Sequence, residues 1–208
     1  MKYVIITVPM KRSDKVEPLI YPVDGNKAIE YGKPVCCPIN GILAKTLIKD
    51  EQVKIIHVMT TGKNSECEKN KESFINELEK INENIGAVIS YDAVEIEFLP
   101  TKQTYNKLIT DLTEKIPDNA EIFTDITFGN KPEILSLFCA LRFVEEFRNA
   151  IVQYIVYGKA EFNPQTDKIE NPVIFDITSL YYLFKLIGSI GNADAESASK
   201  MLYDFFSL

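Results

Sequence analysis

Two kinds of hydrophobic run alternate along the chain. Short β-branched runs cover residues 2–8, 53–59, 94–99, a segment through Ile122 and Phe123, 151–157 and 172–175. The first of these, continuously apolar, fits a central strand buried on both faces of a parallel sheet. Between them lie longer stretches whose apolar residues recur at three- and four-residue intervals, the spacing of an amphipathic helix. One helix is expected to start at Asn40 and carry Ile42, Leu43 and Leu47. A second, capped by Ser65, covers roughly 66–84 with Phe74, Ile75, Leu78 and Ile81 inward. A third covers 103–115 with Tyr105, Leu108, Ile109 and Leu112, and Pro117-Asp118-Asn119 ends it. The helix opening near Pro132 is apolar around most of its circumference, through Ile134, Leu135, Leu137, Phe138, Leu141, Phe143 and Val144. Such a helix is deeply packed or lies at a dimer seam. A helix after Asp176 and a last short one over 193–206 complete the pattern, with Gly188 and Gly191 between them.

Strands alternating with helices of this length predict an α/β fold with a mainly parallel sheet of about six strands. One stretch breaks the alternation. Residues 17–38 read as a β-hairpin insertion after the first strand, with Leu19–Val23 and Ala28–Tyr31 as its arms and Asp24-Gly25-Asn26 as its turn. A loop with Asn163-Pro164 precedes the final strand. The 208 residues suit a single domain, 1–208, whose C-terminal helix over 193–208 could lead to an effector domain absent from the chain.

Composition narrows the classes. Hydrophobic residues at 46% and charged residues at 25% describe an ordinary globular protein. No apolar run reaches the ~20 residues of a bilayer span, and the N-terminus opens directly as a strand without a signal-peptide pattern. A cytoplasmic protein without membrane attachment is expected. The formal net charge of −7 argues against a binder of long nucleic acid, but not against a small anion held by local cations. Cys36, Cys37, Cys67 and Cys139 show no CxxC spacing and read as reduced thiols. Neither a metal site nor a cofactor is expected.

Three polar turns fall at carboxyl ends of predicted strands, where ligands bind in open α/β sheets. The first holds Pro9, Met10, Lys11 and Arg12, the second Thr60, Thr61, Gly62 and Lys63, the third Asp125, Thr127, Phe128, Gly129, Asn130 and Lys131. In the third, Gly129 permits close backbone approach, Asp125 and Thr127 can bond the turn, and Asn130 offers a donor and an acceptor. Lys131 places a cation beside a helix N-terminus that already favours anions. The turn reads as a phosphate-and-base reader or as a well-made strand-to-helix turn.

On Asp125-Ile-Thr-Phe-Gly-Asn-Lys-Pro132, and with support from Thr60-Thr61-Gly62, Tyr157-Gly158 and Pro172-Val-Ile-Phe-Asp-Ile-Thr178, the chain resembles the CRISPR-associated Rossmann-fold (CARF) sensor family. Asn130 departs from the Thr common at that position. The resemblance implies a Rossmann-like three-layer fold and a homodimer whose two sheet edges form one composite pocket. It implies as ligand a cyclic oligoadenylate from type III CRISPR complexes, with cyclic tetra-adenylate favoured over hexa-adenylate. Lys131, with Lys11, Arg12 or Lys63, would face the phosphates. Asn130, Thr127, Met10 and Phe128 would face adenines.

Two further readings compete with a plain sensor. The first is a metal-independent ring nuclease, in which the ligand's own 2′-hydroxyl attacks its phosphate. Lys131 and Asn130 would be its catalytic groups, with Thr127 or Ser13 as helpers. The second is a Rossmann-like nucleotide-binding enzyme unrelated to CRISPR signalling. No G-x-G-x-x-G follows any strand, however, and His57 lies inside a strand run. Asp92, Glu95 and Glu97 read as a solvated strand face.

Overall fold

The computed structural model describes the chain except residues 12–17, 63–64, 100, 164, 166–167, 192 and 207–208. Arg12, Ser13, Lys63 and Pro164 therefore lie outside the described residues. The fold is α/β and Rossmann-like, with helices on both faces of one sheet.

Seven strands form that sheet: β1 (Lys2–Thr7), β2 (Val23–Asp24), β3 (Gln52–Thr61), β4 (Val88–Glu97), β5 (Glu121–Asp125), β6 (Ile151–Asn163) and β7 (Lys168–Asp176). Their order is β2-β7-β6-β5-β1-β3-β4. The five strands from β4 to β6 pair in parallel, and β7 runs antiparallel to β6. The chain moves outward from β1 to β3 and β4, then crosses back to β5 on the other side of β1. The order thus reverses between β1 and β5, and a crevice opens there at the strands' carboxyl ends.

All six residues of β1 are buried, as its unbroken apolar pattern requires. Its alternate side chains feed two cores. Tyr3 and Ile5 pack with α3 (Lys102–Lys115), α4 (Lys131–Arg148) and Tyr181 of α5 (Thr178–Ser189). Val4 and Ile6 pack on the opposite face with α1 (Pro38–Thr46) and α2 (Cys67–Asn82). A last helix, α6 (Ala195–Phe206), follows. No helix among the described residues is long and apolar enough to cross a membrane.

The expected hairpin over 17–38 does not form. Val23 and Asp24 pair in parallel with Ile174 and Phe175 of β7, making the seventh strand. Ala28 lies in a 3-10 turn, Lys27–Ile29, capped by the Asn26 side chain. A lone antiparallel bridge between Leu19 and Val35 closes the loop instead. The physical reason is partner choice. The free edge of β7 satisfies the Pro22 carbonyl through the Ile174 N–H, the Glu30 carboxylate takes the Val23 N–H, and Val23 is buried completely, which a two-strand hairpin in water does poorly. Boundaries also move. Strand β4 begins at Val88 rather than Val94, and α1 opens at Pro38 rather than Asn40. Residue 66, not Ser65, is the N-cap of α2. The Ser65 hydroxyl donates instead to the Thr60 carbonyl at the end of β3.

Candidate functional site

A cavity of about 470 Å³ opens at the switch point, on the α1/α2 face. Its floor is the end of β1 and the turn after β5, through Thr7, Val8, Pro9, Asp125, Thr127 and Phe128. Its walls are largely apolar: Tyr21, Pro38 and Ile39 above, Phe74 from α2, Tyr157 and Ile169 from the β6–β7 ribbon. A concave, mostly apolar space of this size with a few polar groups is the usual form of a small-molecule site.

The turn after β5 is held by its own side chains. Asp125 is 1% exposed, and its Oδ1 accepts from the Thr127 N–H at 2.7 Å and from the Thr127 hydroxyl. That hydroxyl accepts in turn from the Gly158 N–H at 2.8 Å, tying the turn to β6. The Thr7 hydroxyl donates to the Phe128 carbonyl and to the Asp125 carbonyl, tying it to β1. Burial pushes the Asp125 carboxyl up to about 6, although the two Thr127 donors pull the other way. Among the described residues none donates to its second oxygen.

Gly129 has φ +106, and an added Cβ would meet the Glu133 carboxylate at 3.0 Å and Thr7 at 3.3 Å. The close approach that calls for glycine is therefore to protein side chains rather than to a ligand. Asn130 is the N-cap of α4. Its Oδ1 accepts from the Glu133 N–H at 3.0 Å, and its Nδ2 donates to Glu133 Oε1 at 2.7 Å. The amide expected to face an adenine thus closes a capping box. Buried Glu133 also accepts from the Thr60 hydroxyl at 2.7 Å, which joins β3 to the start of α4. Lys131 is the first residue of the helix and is exposed at the sheet edge.

The remaining expected residues divide between two places. Pro9, Asp125, Thr127 and Phe128 line the cavity. Met10 packs instead against the small cluster of Val8, Met59 and Cys67. Lys11 is exposed beside it, and its carbonyl accepts from Asn70 at 2.8 Å. Thr61 bonds the Ile96 carbonyl at 3.1 Å, and Gly62 lies against Phe98. Asn130 and Glu133 border a second hollow of about 260 Å³, shared with Phe98, Leu99 and Tyr105. The three turns thus share one edge without sharing one cavity.

Several cavity residues were not among the expected site residues. Gly158 is one: a Cβ there would meet Pro38 Cγ at 2.7 Å, so only glycine lets α1 come down onto β6. His57 is another. It is fully buried, its ring edge-on to Phe74, with Nδ1 3.4 Å from the Asp92 carbonyl and Nε2 without a hydrogen-bond partner. Burial pushes its imidazole down to about 4, so it is neutral at physiological pH. A proton on Nδ1, facing the carbonyl, leaves Nε2 as an acceptor.

The thiols are quiet. Burial and the Glu77 charge push Cys36 up to about 11 and raise Cys37 as well. Glu77 of α2 accepts from the Cys36 and Cys37 N–H groups at 2.6 and 3.0 Å and from Asn40 at 2.8 Å. A protein carboxylate therefore occupies the anion position before α1, where a dinucleotide-binding Rossmann fold holds its pyrophosphate. Asp92 is salt-bridged to Lys54 and Lys115, at 3.1 and 2.9 Å, while Glu95 and Glu97 are exposed.

Compared with protein-family models and with curated proteins, the chain matches none.

Proposed function

We propose that the domain is a homodimeric receptor for a cyclic oligoadenylate, a second messenger of type III CRISPR defence, bound at the carboxyl edge of its sheet. The observation that carries this reading is the division of labour at the switch point. A base-sized apolar cavity opens there. Lys11 and Lys131 stand exposed along the same edge, outside it, where phosphates would pass. The competing dinucleotide enzyme is disfavoured because Glu77 already fills the anion position at α1.

The dimer is supported by α4. Leu135, Cys139, Phe143 and Phe147 are exposed at successive four-residue steps, and such a ridge on a helix seeks a partner. A two-fold axis along α4 would pair these ridges in parallel and bring both Lys131 residues to one end. That is the arrangement a two-fold-symmetric ring requires. With the Asn130 amide committed to the capping box, the domain is a receptor that leaves its ligand intact.

Calorimetric titration with cyclic tri-, tetra- and hexa-adenylate, followed by chromatography of the same samples, tests this. The expected result is one tetra-adenylate ring per two chains, recovered uncut, with binding strongly weakened in Lys131→Glu. Linear products would instead make the domain a ring nuclease. No heat with any ring would end the assignment.

A further inference from the structure

The two strands that wall the cavity on one side outrun the rest of the sheet. Strand β5 ends at Asp125, level with Val156 of β6, and β2 pairs with β7 only at Ile174 and Phe175. The Thr127 hydroxyl takes the Gly158 N–H, and there the support stops. Strand β6 nevertheless continues to Asn163, roughly 20 Å past Val156 at about 3.3 Å per residue. From Lys159 to Asn163, and from Lys168 to Val173, each strand has only the other as a ladder partner among the described residues. A two-stranded ribbon without a third strand is marginally stable in water. This one carries Ala160 and Ile169 to the cavity wall, and Tyr21 and Cys37, from the segment before α1, line the same space.

The ladder breaks just above the support. Lys159 pairs with Val173, and the next pair is Glu161 with Glu170, so Ala160, Asn171 and Pro172 stand outside the register. Asn171 takes a left-handed φ of 51 there, as a bulge residue does. Beyond the break two glutamates lie directly opposite each other, a pairing that weakens a ladder. What spans the break is polar and exposed: Lys159 Nζ on Glu161 Oε1 at 2.8 Å, and Asn171 Nδ2 on Glu161 Oε2 at 3.2 Å. Exposed ties of this kind hold weakly. Ile169 belongs to neither large core. We infer that the ribbon beyond this break is a flap that governs entry to the cavity. It turns as a unit on Ala160 and Asn171-Pro172, about a base fixed by the Thr127 and Thr178 hydroxyls. Closed, it lays Ala160 and Ile169 along the cavity; open, it leaves that side to water. The inference goes beyond the choice of ligand and holds whatever the cavity binds.

Two measurements on the full chain test it without any ligand. Hydrogen exchange followed by NMR reads the hinge. Amides of Glu161, Ile169 and Glu170 should exchange at least a hundredfold faster than those of Ile155 and Gly158, which the two threonine hydroxyls hold. Alkylation by N-ethylmaleimide, located by peptide mass spectrometry, reads entry. Cys37 lines the cavity, and exposed Cys139 serves as the internal standard. Burial keeps the Cys37 thiol slow in every variant, so the ratio between variants is what is read. Ile169→Asp puts a charge where the flap meets an apolar wall and should hold it open. Cys37 should then label at least tenfold faster, with Cys139 and the urea midpoint unchanged.

Ribbon amides that exchange no faster than those of Ile155 and Gly158 would remove the hinge and overturn the inference. Cys37 labelled equally fast in wild type and in Ile169→Asp would overturn the guarding role, even with a fast-exchanging ribbon. The two expected results together uphold the flap, whether or not any cyclic oligoadenylate binds.

Discussion

Asp125 and His57 border the same cavity, yet burial moves their titrations in opposite senses. The folded Asp125 carboxyl titrates at about 6 against 3.8 for the free group, so the fold binds that proton more tightly than the unfolded chain does. Its contribution is most favourable below the unfolded value and is lost as pH rises through 6. The folded His57 titrates at about 4 against 6.5, so its contribution is complete above 6.5 and is lost as pH falls toward 4. In the wild type the two slopes largely cancel between pH 4 and 6. Single substitutions should separate them, each by about 3 kcal/mol across pH 4 to 7. Relative to wild type, Asp125→Asn should be better favoured at pH 7 than at pH 4, and His57→Phe the reverse. Urea unfolding at several pH values reads this, and three parallel curves would refute it. Asp125 and Thr127 were legible as residues that bond their own turn, because their spacing alone allows it. The place of His57 beside the cavity was not, since a histidine in an apolar run looks the same whether or not a cavity lies beside it.

Among the elements, the turn after β5 has a twin. Asp125-Ile-Thr127 and Asp176-Ile-Thr178 use the same bonds: the carboxylate accepts from the threonine N–H and hydroxyl, and the hydroxyl accepts from an N–H of β6. Gly158 and Ile155 supply those two N–H groups, so β6 is fastened from both neighbours. The repeated tripeptide was visible in the sequence, but its meaning depended on β6 lying between the two copies. The 17–38 segment misled for a related reason. An Asp-Gly turn between apolar runs specifies a hairpin locally, but the free edge of β7, about 150 residues away, offered a better partner. Gly129 gives the sharpest test of the turn as a structural unit. Its positive φ strains any side chain there, and a methyl group would press on Thr7 and on the Glu133 carboxylate that closes the capping box. Gly129→Ala should cost about 2 kcal/mol or more, read from the urea midpoint. A midpoint unchanged from wild type would mean that the turn rearranges freely.

At the scale of the molecule, alternating periodicities were enough to read the α/β class and to place three polar turns at the carboxyl edge of the sheet. They could not supply the strand order that puts the crevice between β1 and β5, because pairing partners far apart in sequence leave no local trace. The exposed ridge of α4 was partly legible. Its helix was expected to be deeply packed or to lie at a dimer seam, and the structure buries one side of it and leaves a ridge exposed. Leu137, Leu141 and Val144 are buried against the sheet, while Phe147 remains 71% exposed and Phe143 42%, their rings 4.9 Å apart. Two adjacent phenylalanines held in water forfeit several kcal/mol that burial would return. If a second copy covers them, light scattering should give a mass near twice the 23.6 kDa of the chain. Phe143→Glu with Phe147→Glu should then give monomers that keep the wild-type unfolding midpoint at low concentration. Those monomers should lose cyclic oligoadenylate binding, because each would hold only half of the ring's site. A wild-type protein that stays monomeric at tens of micromolar would instead assign the ridge to some other partner and leave the composite pocket without its second half.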